Sequence, residues 1–499
     1  MKFYDIGRNY ENLIKDNICR VFPRVELIRN DGTSYFFPDS DIISLEITNY
    51  KETTGGYANW GDLVLDNRFN RYTPALHSEL TAGCELHIHY AMGNRYNSFY
   101  RFSLYADERG FQTFAEGSEK TCRVHLNDYS AFLKDSDKGK DWTGHETLIH
   151  GVYCNRATAS SSIVHVIADR AGLTVNDIDC CLVEKEVPYV KFTGNIWEEL
   201  SLLAVAARAH LECTKDMLLT FEASPYDADY EEDDDVSWKL DEDDITAWHS
   251  FDLMDQYRNS LRMKWTHYSE TGMTELWHYS DGPVMYDGNM EAVYPMGDGS
   301  RDIEKYDGYE AVYTVKDDEG KEYPVVKAFD VDSKEVFEAD IIDSEGSVTA
   351  EVYNTTTYPD RALVKLTSGV PTNLKRAVIY GRAIIAEANY AHFIRNQAGI
   401  NQYGTRAENV NNKYMSDTET DGSPFYEKWA ADTLEEMSRV KSGLFVKTNR
   451  PLFHARAGAW MEIDLSDASG IRVEKGQITS LTLRYKKDAA FETTVTVTA

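Results

Sequence analysis

His145 and His150, in the run His145-Glu146-Thr147-Leu148-Ile149-His150, are the first residues whose types suggest chemistry. Zinc proteases use H-E-x-x-H because a spacing of four puts both imidazoles on one helical face. A spacing of five turns them about 140° apart on a helix, at about 100° per residue. On a strand, an odd spacing sends them to opposite faces. The run does not read as a metal site. His87 and His89 are two apart and share one face of a predicted strand, where they could ligate a metal. No cysteine or carboxylate pattern beside them completes a ligand set. They read as two imidazoles on a solvated or interfacial strand face.

Asp135-Ser136-Asp137-Lys138-Gly139-Lys140-Asp141 alternates acids like a calcium loop. Its glycine comes one place early, two lysines intrude, and no glutamate fills the twelfth position, so it reads as a charged surface loop. Asp330 and Asp332 read as turn acids at a strand end. There is no G-x-S-x-G, no Walker A motif and no G-x-G-x-x-G after a strand. A glycosidase-like carboxylate pair depends on separation in space, which spacing in sequence does not rank. No catalytic, cofactor-binding or metal-ligating residue is therefore assigned and no cofactor is expected. The expectation is a structural or binding protein, not an enzyme.

The seven cysteines, Cys19, Cys84, Cys122, Cys154, Cys180, Cys181 and Cys213, form no CxxC pair, and adjacent Cys180-Cys181 do not easily bridge each other. This predicts free thiols made in a reducing cytosol, with no disulfide framework or structural zinc. The N-terminus has no apolar run of the signal-peptide kind, and no export is expected. No apolar stretch reaches the roughly 18 residues of a membrane span. The 499 residues carry 52 Lys and Arg against 83 Asp and Glu, a net charge of −31. Phosphates would be repelled, which argues against a stable nucleic-acid complex on a basic face. At about 150 residues per domain the length suits three or four domains, and 42% hydrophobic content is enough for real cores.

The elements that would position any site are mostly strands. Val25–Ile28, Ile43–Ile47, Leu86–Tyr90, Phe102–Tyr105 and Cys122–Leu126 alternate or run apolar, separated by turn clusters such as Asn30-Asp31-Gly32 and Gly55-Gly56. Their spacing suits a small barrel or sandwich. Ser161–Ala171 then predicts a helix stopped by Gly172. A second helix starts at Asn195, capped with Glu198 three residues on, and its apolar face is Ile196, Leu200, Leu203, Ala204, Ala207 and Leu211. Met217–Ala223 reads as a strand. Between Tyr226 and Gln256 lie thirteen acids and one lysine, which predicts an exposed linker or loop. Strands resume from Ser260 to Lys365, with a hairpin turn at Lys316–Gly320. Ser423-Pro424 starts a helix carrying Phe425, Trp429, Thr433 and Met437, closed by Gly443. Final strands follow at Leu444–Thr448, Met461–Leu465, Ile478–Tyr485 and Phe491–Val497.

Three stretches together resemble the hub proteins of tailed-bacteriophage baseplates and tail tips, a family also found in prophages and tail-like particles. The first is Leu63-Val64-Leu65-Asp66-Asn67-Arg68-Phe69-Asn70-Arg71-Tyr72-Thr73-Pro74, followed by Ala82-Gly83-Cys84-Glu85-Leu86-His87-Ile88. The second is the helix pair with Val187-Pro188-Tyr189, leading into Thr214–Phe221. The third opens at Tyr257-Arg258-Asn259-Ser260-Leu261-Arg262-Met263-Lys264-Trp265 and continues through Gln402–Arg406 and Asn411-Asn412. It passes the helix that bears Ala430 and ends at Ala457-Gly458-Ala459-Trp460-Met461-Glu462-Ile463. Ala459 departs from the family's usual Gly-Asp at that place.

The resemblance implies a mainly β chain with an α/β insert. An N-terminal β-barrel hub domain (1–150) would precede a small α/β domain (151–228). A second β-barrel domain with long loops (229–415) and a C-terminal helix-plus-β domain (416–499) would follow. It further implies a non-catalytic homotrimeric ring of the virion tail tip or baseplate, assembled in the host cytoplasm. The ring would adapt a hexameric tail tube or distal tail protein to a trimeric spike or fibre, with a tape-measure protein as a further neighbour. DNA would pass through an acidic lumen that repels it. The chain ends soon after its last strands, so a separate spike is expected. The alternative from another class is a tail protein that binds or hydrolyses cell-surface glycans, for which Trp238, Trp248, Trp265 and Trp277 would supply stacking faces.

Overall fold

The computed structural model describes the chain apart from residues 1–2, 7–10, 15–19, 30, 53–54, 94–97, 136–147, 193, 224–237, 280–283, 296–308, 312–313, 317–321, 328–337, 343–347, 354–360, 375, 416–424, 467–469 and 499. Between 266 and 390 only the backbone of the strands is described. The protein is mainly β, with an α/β insert, as the resemblance implies.

Eight strands come first: β1 (Val21–Ile28), β2 (Ser34–Phe36), β3 (Ile42–Lys51), β4 (Tyr57–Asp66), β5 (Glu85–Met92), β6 (Ser98–Ala106), β7 (Gln112–Glu116) and β8 (Glu119–Asn127). Antiparallel pairing runs β2-β1-β5-β6-β8-β4-β3, with β7 beside the start of β8 on the edge that β6 occupies near its end. The alternation read from sequence is the burial pattern observed. In β1, Val21, Pro23, Val25 and Leu27 face the core, and Phe22, Arg24 and Glu26 face outward. The ladder then crosses to the far end of the sequence, because β3 pairs with Ile471–Lys486 from Ser44↔Lys486 to Tyr50↔Ser480. Ile471–Lys486 pairs with Glu492–Thr498 and Trp460–Leu465, and Glu492–Thr498 pairs with Ser442–Thr448. One core, including Leu45, Ile47, Leu63, Val446, Ile463, Leu481 and Val495, fills both parts.

The acidic segment is not a loop throughout. Trp238–Asp241 pairs in parallel with Trp460–Leu465, and Ile245–Asp252 pairs with Ser442–Thr448. Trp238 and Leu240 supply buried side chains that composition alone concealed. Gly443 does not close a helix. The helix Phe425–Met437 ends earlier, and Gly443 lies in the Ser442–Thr448 strand, where a Cβ would sit 2.3 Å from the Phe251 ring.

Gly61, inside β4, has a similar role: a Cβ there would lie 2.6 Å from the Glu46 carbonyl oxygen and 3.0 Å from Ile47. Gly61→Ala is expected to cost roughly 1–3 kcal/mol, as overpacking beside an unyielding backbone does. Urea unfolding measures it; an unchanged midpoint would show that the strands part freely here.

The α/β unit is built as read. Ile163–Arg170 ends at Ala171, and Gly172 follows with φ 76°. In Ile196–Ala207 the Asn195 side chain accepts from the Glu198 backbone N–H, and Glu198 returns the bond to Asn195, closing a capping box. Arg208, at φ 52°, ends this helix, so Leu211 lies instead in the strand Ala209–Glu212. That strand pairs antiparallel with Leu219–Ala223, whose other edge takes Ile178–Cys180 in parallel. Cys154 and Cys180 form a disulfide, with Cα atoms 6.2 Å apart, which corrects the expectation of free thiols for this pair. Folding brings them together from 26 residues apart in sequence, and their spacing carries no cue. Cys84, Cys122 and Cys213 are free thiols.

Farther along, Ser260–Tyr279 and Arg376–Arg395 make a long antiparallel ladder, flanked by Ala407–Asn411 in parallel. Thr314–Lys316 pairs with Glu322–Lys327, so the expected hairpin forms, although its turn lies outside the described residues. No helix among the described residues is long and apolar enough to cross a membrane.

Candidate functional site

The sequence singled out His87 and His89 as sharing a face, and the structure supplies what they lacked. Register places Glu26 of β1 directly opposite His87 and Arg24 opposite His89. His89 Nε2 lies 3.3 Å from Glu26 Oε2, and His87 Nε2 lies 2.7 Å from Glu85 Oε1. On the other flank, β6 brings Tyr100 against both imidazoles, with ring centroids 4.8 Å from His87 and 5.0 Å from His89. Ser103 donates to Glu85 Oε1 at 2.6 Å. The His87 and Ser103 hydrogen bonds draw the Glu85 pKa down against its burial. Burial pushes His89 down and outweighs the attraction of Glu26, so its neutral form is favoured.

A second constellation is buried and was not legible in sequence. Glu212 lies at the end of Ala209–Glu212, 3% exposed, with its Oε1 3.0 Å from Arg456 Nη1. His210 Nε2 sits 2.9 Å from Glu212 Oε2, without the alignment of a hydrogen bond. Burial alone would raise the Glu212 pKa, but His210, Arg456 and Arg101 together hold it at about 2. Arg101, in β6, donates to the carbonyl oxygens of Phe453 and Ala455 at 3.0 Å each, and Tyr4 stacks on its guanidinium. Beside them, burial pushes His454 down to about 3, so its imidazole is neutral among Phe3 and Trp238. These groups tie the N-terminal segment, β6, the α/β unit and the 450–460 loop together. Glu212 and Arg456 hold each other and Arg101 is held by the backbone, which is the chemistry of a structural junction.

A third group joins the α/β unit to the segment after Ala407–Asn411. Glu199, wholly buried, receives bonds from Lys413 Nζ at 2.7 Å, Tyr414 O–H at 2.5 Å and the Gly194 N–H at 2.7 Å.

The other sequence candidates separate. His145, most of the Asp135–Asp141 run, Asp330, Asp332 and the acids 231–235 lie outside the described residues. Asp241–Asp244 forms a capped 3-10 turn in which Asp244 pairs with Arg450. Trp238 and Trp265 are buried in cores, whereas Trp248 is 38% exposed. The Asp66-Asn67 turn is realised: the buried Asn67 side-chain oxygen Oδ1 accepts from the Tyr72 N–H at 2.8 Å, and its side-chain N–H donates to Thr73 Oγ1 at 3.2 Å.

No family model matches the sequence. No curated protein matches it significantly. Among solved structures, the chain is similar to the 43 kDa tail protein of prophage MuSo2 from Shewanella oneidensis, at 11% identity and TM-score 0.46, covering 96% of this chain and 98% of that one. It is similar to the tail protein from Neisseria meningitidis MC58 at 8% identity and TM-score 0.48, covering 96% and 97%. It is also similar to prophage tail protein gp18 from Listeria monocytogenes EGD-e, at 8% identity and TM-score 0.39, covering 95% and 94%.

Proposed function

We propose that the chain is a structural baseplate or tail-tip hub of a phage tail or tail-like particle. The observation that carries this is the order of units. An antiparallel β region, a capped α/β unit, a region of long strands and a C-terminal helix with strands follow one another along the chain, an order that supports the hub reading. The signature turn at Asp66–Thr73 has its structural hydrogen bonds, and the buried charged groups are held by one another.

On this reading three copies form a ring between a hexameric tail tube and a trimeric spike or fibre, and DNA passes through its lumen. Two strands suit such closure. Among the described residues β7 pairs on one side only, with β8, and Ile245–Asp252 on one side only, with Ser442–Thr448. Both are largely exposed. Unpaired edges invite another strand, and a ring of copies would cover them. The divisions at 150, 228 and 415 are proposed as boundaries of folding units, although one sheet spans the first and last.

Multi-angle light scattering of the purified chain, with electron microscopy of assembled particles, tests the reading. The expected results are a trimer of three times 56.9 kDa and density at the tail tip. A protein that stays monomeric and is absent from particles would overturn it. Turnover of purified cell-wall glycan, lost on a single carboxylate substitution, would favour the glycan reading instead.

A further inference from the structure

We propose that Glu26, His87 and His89 form a binding site for one divalent transition-metal ion of the zinc type. One ligand atom from each lies within 4.8 Å of the other two. Two paired strands set this arrangement: His87 and His89 project from one face of β5, and Glu26 projects from the same face of β1, opposite His87. The backbone therefore fixes the three origins before any ion arrives.

The donor set selects the ion. Two imidazoles and one carboxylate suit zinc and its borderline neighbours, whereas calcium and magnesium take oxygen ligands. Around a tetrahedral ion with bonds of about 2.0–2.1 Å, donor atoms stand about 3.3 Å apart. The His89–Glu26 pair already has that separation, 3.3 Å. Small side-chain rotations of His87 would complete the set, leaving a fourth position for water or another chain's ligand.

The surroundings fit a held ion better than two separate ion pairs. Tyr100 stacks on the His87 ring and packs against the tilted His89 ring, restricting both. Glu85, itself held by Ser103, hydrogen-bonds His87, an arrangement that orients ligating imidazoles and raises their basicity. Two cations face this cluster. Arg24 is turned onto the Phe36 ring, 4.3 Å from its centroid, and Lys215 Nζ lies over Phe99 at 4.7 Å. Glu26 and Glu85 remain to balance a dication.

The full chain, stripped with a chelator and dialysed, is titrated with zinc chloride against a chromophoric competitor. Wild type is expected to take up one zinc per chain, with a zinc-dependent rise in thermal midpoint. His87→Ala, His89→Ala and the near-isosteric Glu26→Gln are each expected to weaken binding at least about tenfold and remove that rise. His125→Ala, in β8 and paired with Asp62, is expected to bind as wild type does. If an alanine variant fails to fold by circular dichroism, Glu26→Gln carries the decision. No zinc uptake by wild type, or equal affinity in Glu26→Gln, would overturn the proposal.

Discussion

Glu212→Gln is expected to lower the unfolding free energy by about 3–5 kcal/mol, the cost of leaving buried cations without their carboxylate. Arg456, with only 12% of its side chain exposed, would lose its charged partner at 3.0 Å, while the carboxylate of Glu222 lies 3.5 Å away and is 40% exposed. Arg101, buried and held by two carbonyls, would lose the nearby negative charge that compensates it. The sign of the pH dependence follows from the same group. The folded pKa of about 2 lies below the ordinary 4.5, so the contribution is complete above about pH 4.5. It is lost as pH falls from there through about 2. A shift of that size corresponds to roughly 3 kcal/mol, which agrees with the cost from charge removal. Urea midpoints across pH 2–7 measure both effects, and the variant should lack this part of the acid slope. A loss below about 1 kcal/mol at neutral pH would show that water or rearrangement reaches the pair.

What the sequence revealed was local, and what it concealed was distant. Asn195 and Glu198 close their box across three residues, so the cap is legible from residue types alone. The alternation in β1 and β5 reports which side chains face the core because a strand's period is independent of its partner. Partner choice is another matter. Thr48 meets Thr482 across 434 positions, and no pattern near either residue announces the other. His87 and His89 could be placed on one face, yet the Glu26 oxygen beside His89 comes from 63 residues away. Strand register creates that cluster, and register follows from turns and burial along both strands. The acidic segment failed for a different reason. Its carboxylates dominate the composition, but Trp238, Leu240 and the Arg450–Asp244 pair give it enough burial and charge balance to order two strands. Gly443 looked like a helix stop because glycine serves both that role and close approach of an aromatic ring.

Trp197→Ala is expected to cost about 3–5 kcal/mol, and its coupling to Gly56 separates the cause from a general loss of packing. Trp197 is 1% exposed on the helix Ile196–Ala207 and donates its indole N–H to Glu52 Oε2 at 2.7 Å. Glu52 also pairs with Lys134, whose Nζ lies 5.5 Å from the indole centroid. The helix comes this close because Gly55-Gly56 carries no side chains. A Cβ at Gly56 would lie 2.6 Å from Trp197 Cζ2, and one at Gly55 would lie 2.8 Å from Val205. Gly56→Ala alone should therefore cost roughly 1–3 kcal/mol by overpacking. In the Trp197→Ala background the ring is gone, and the added methyl should cost little or partly fill the void. The double-mutant cycle is then strongly non-additive, with the second substitution relieved by the first. Trp197→Phe should fall between, keeping most of the apolar area while leaving Glu52 without its indole donor. Costs that simply add would mean that the turn moves away from the helix on its own. The Gly-Gly pair would then serve the backbone of the turn and not the docking of the α/β unit on the sheet.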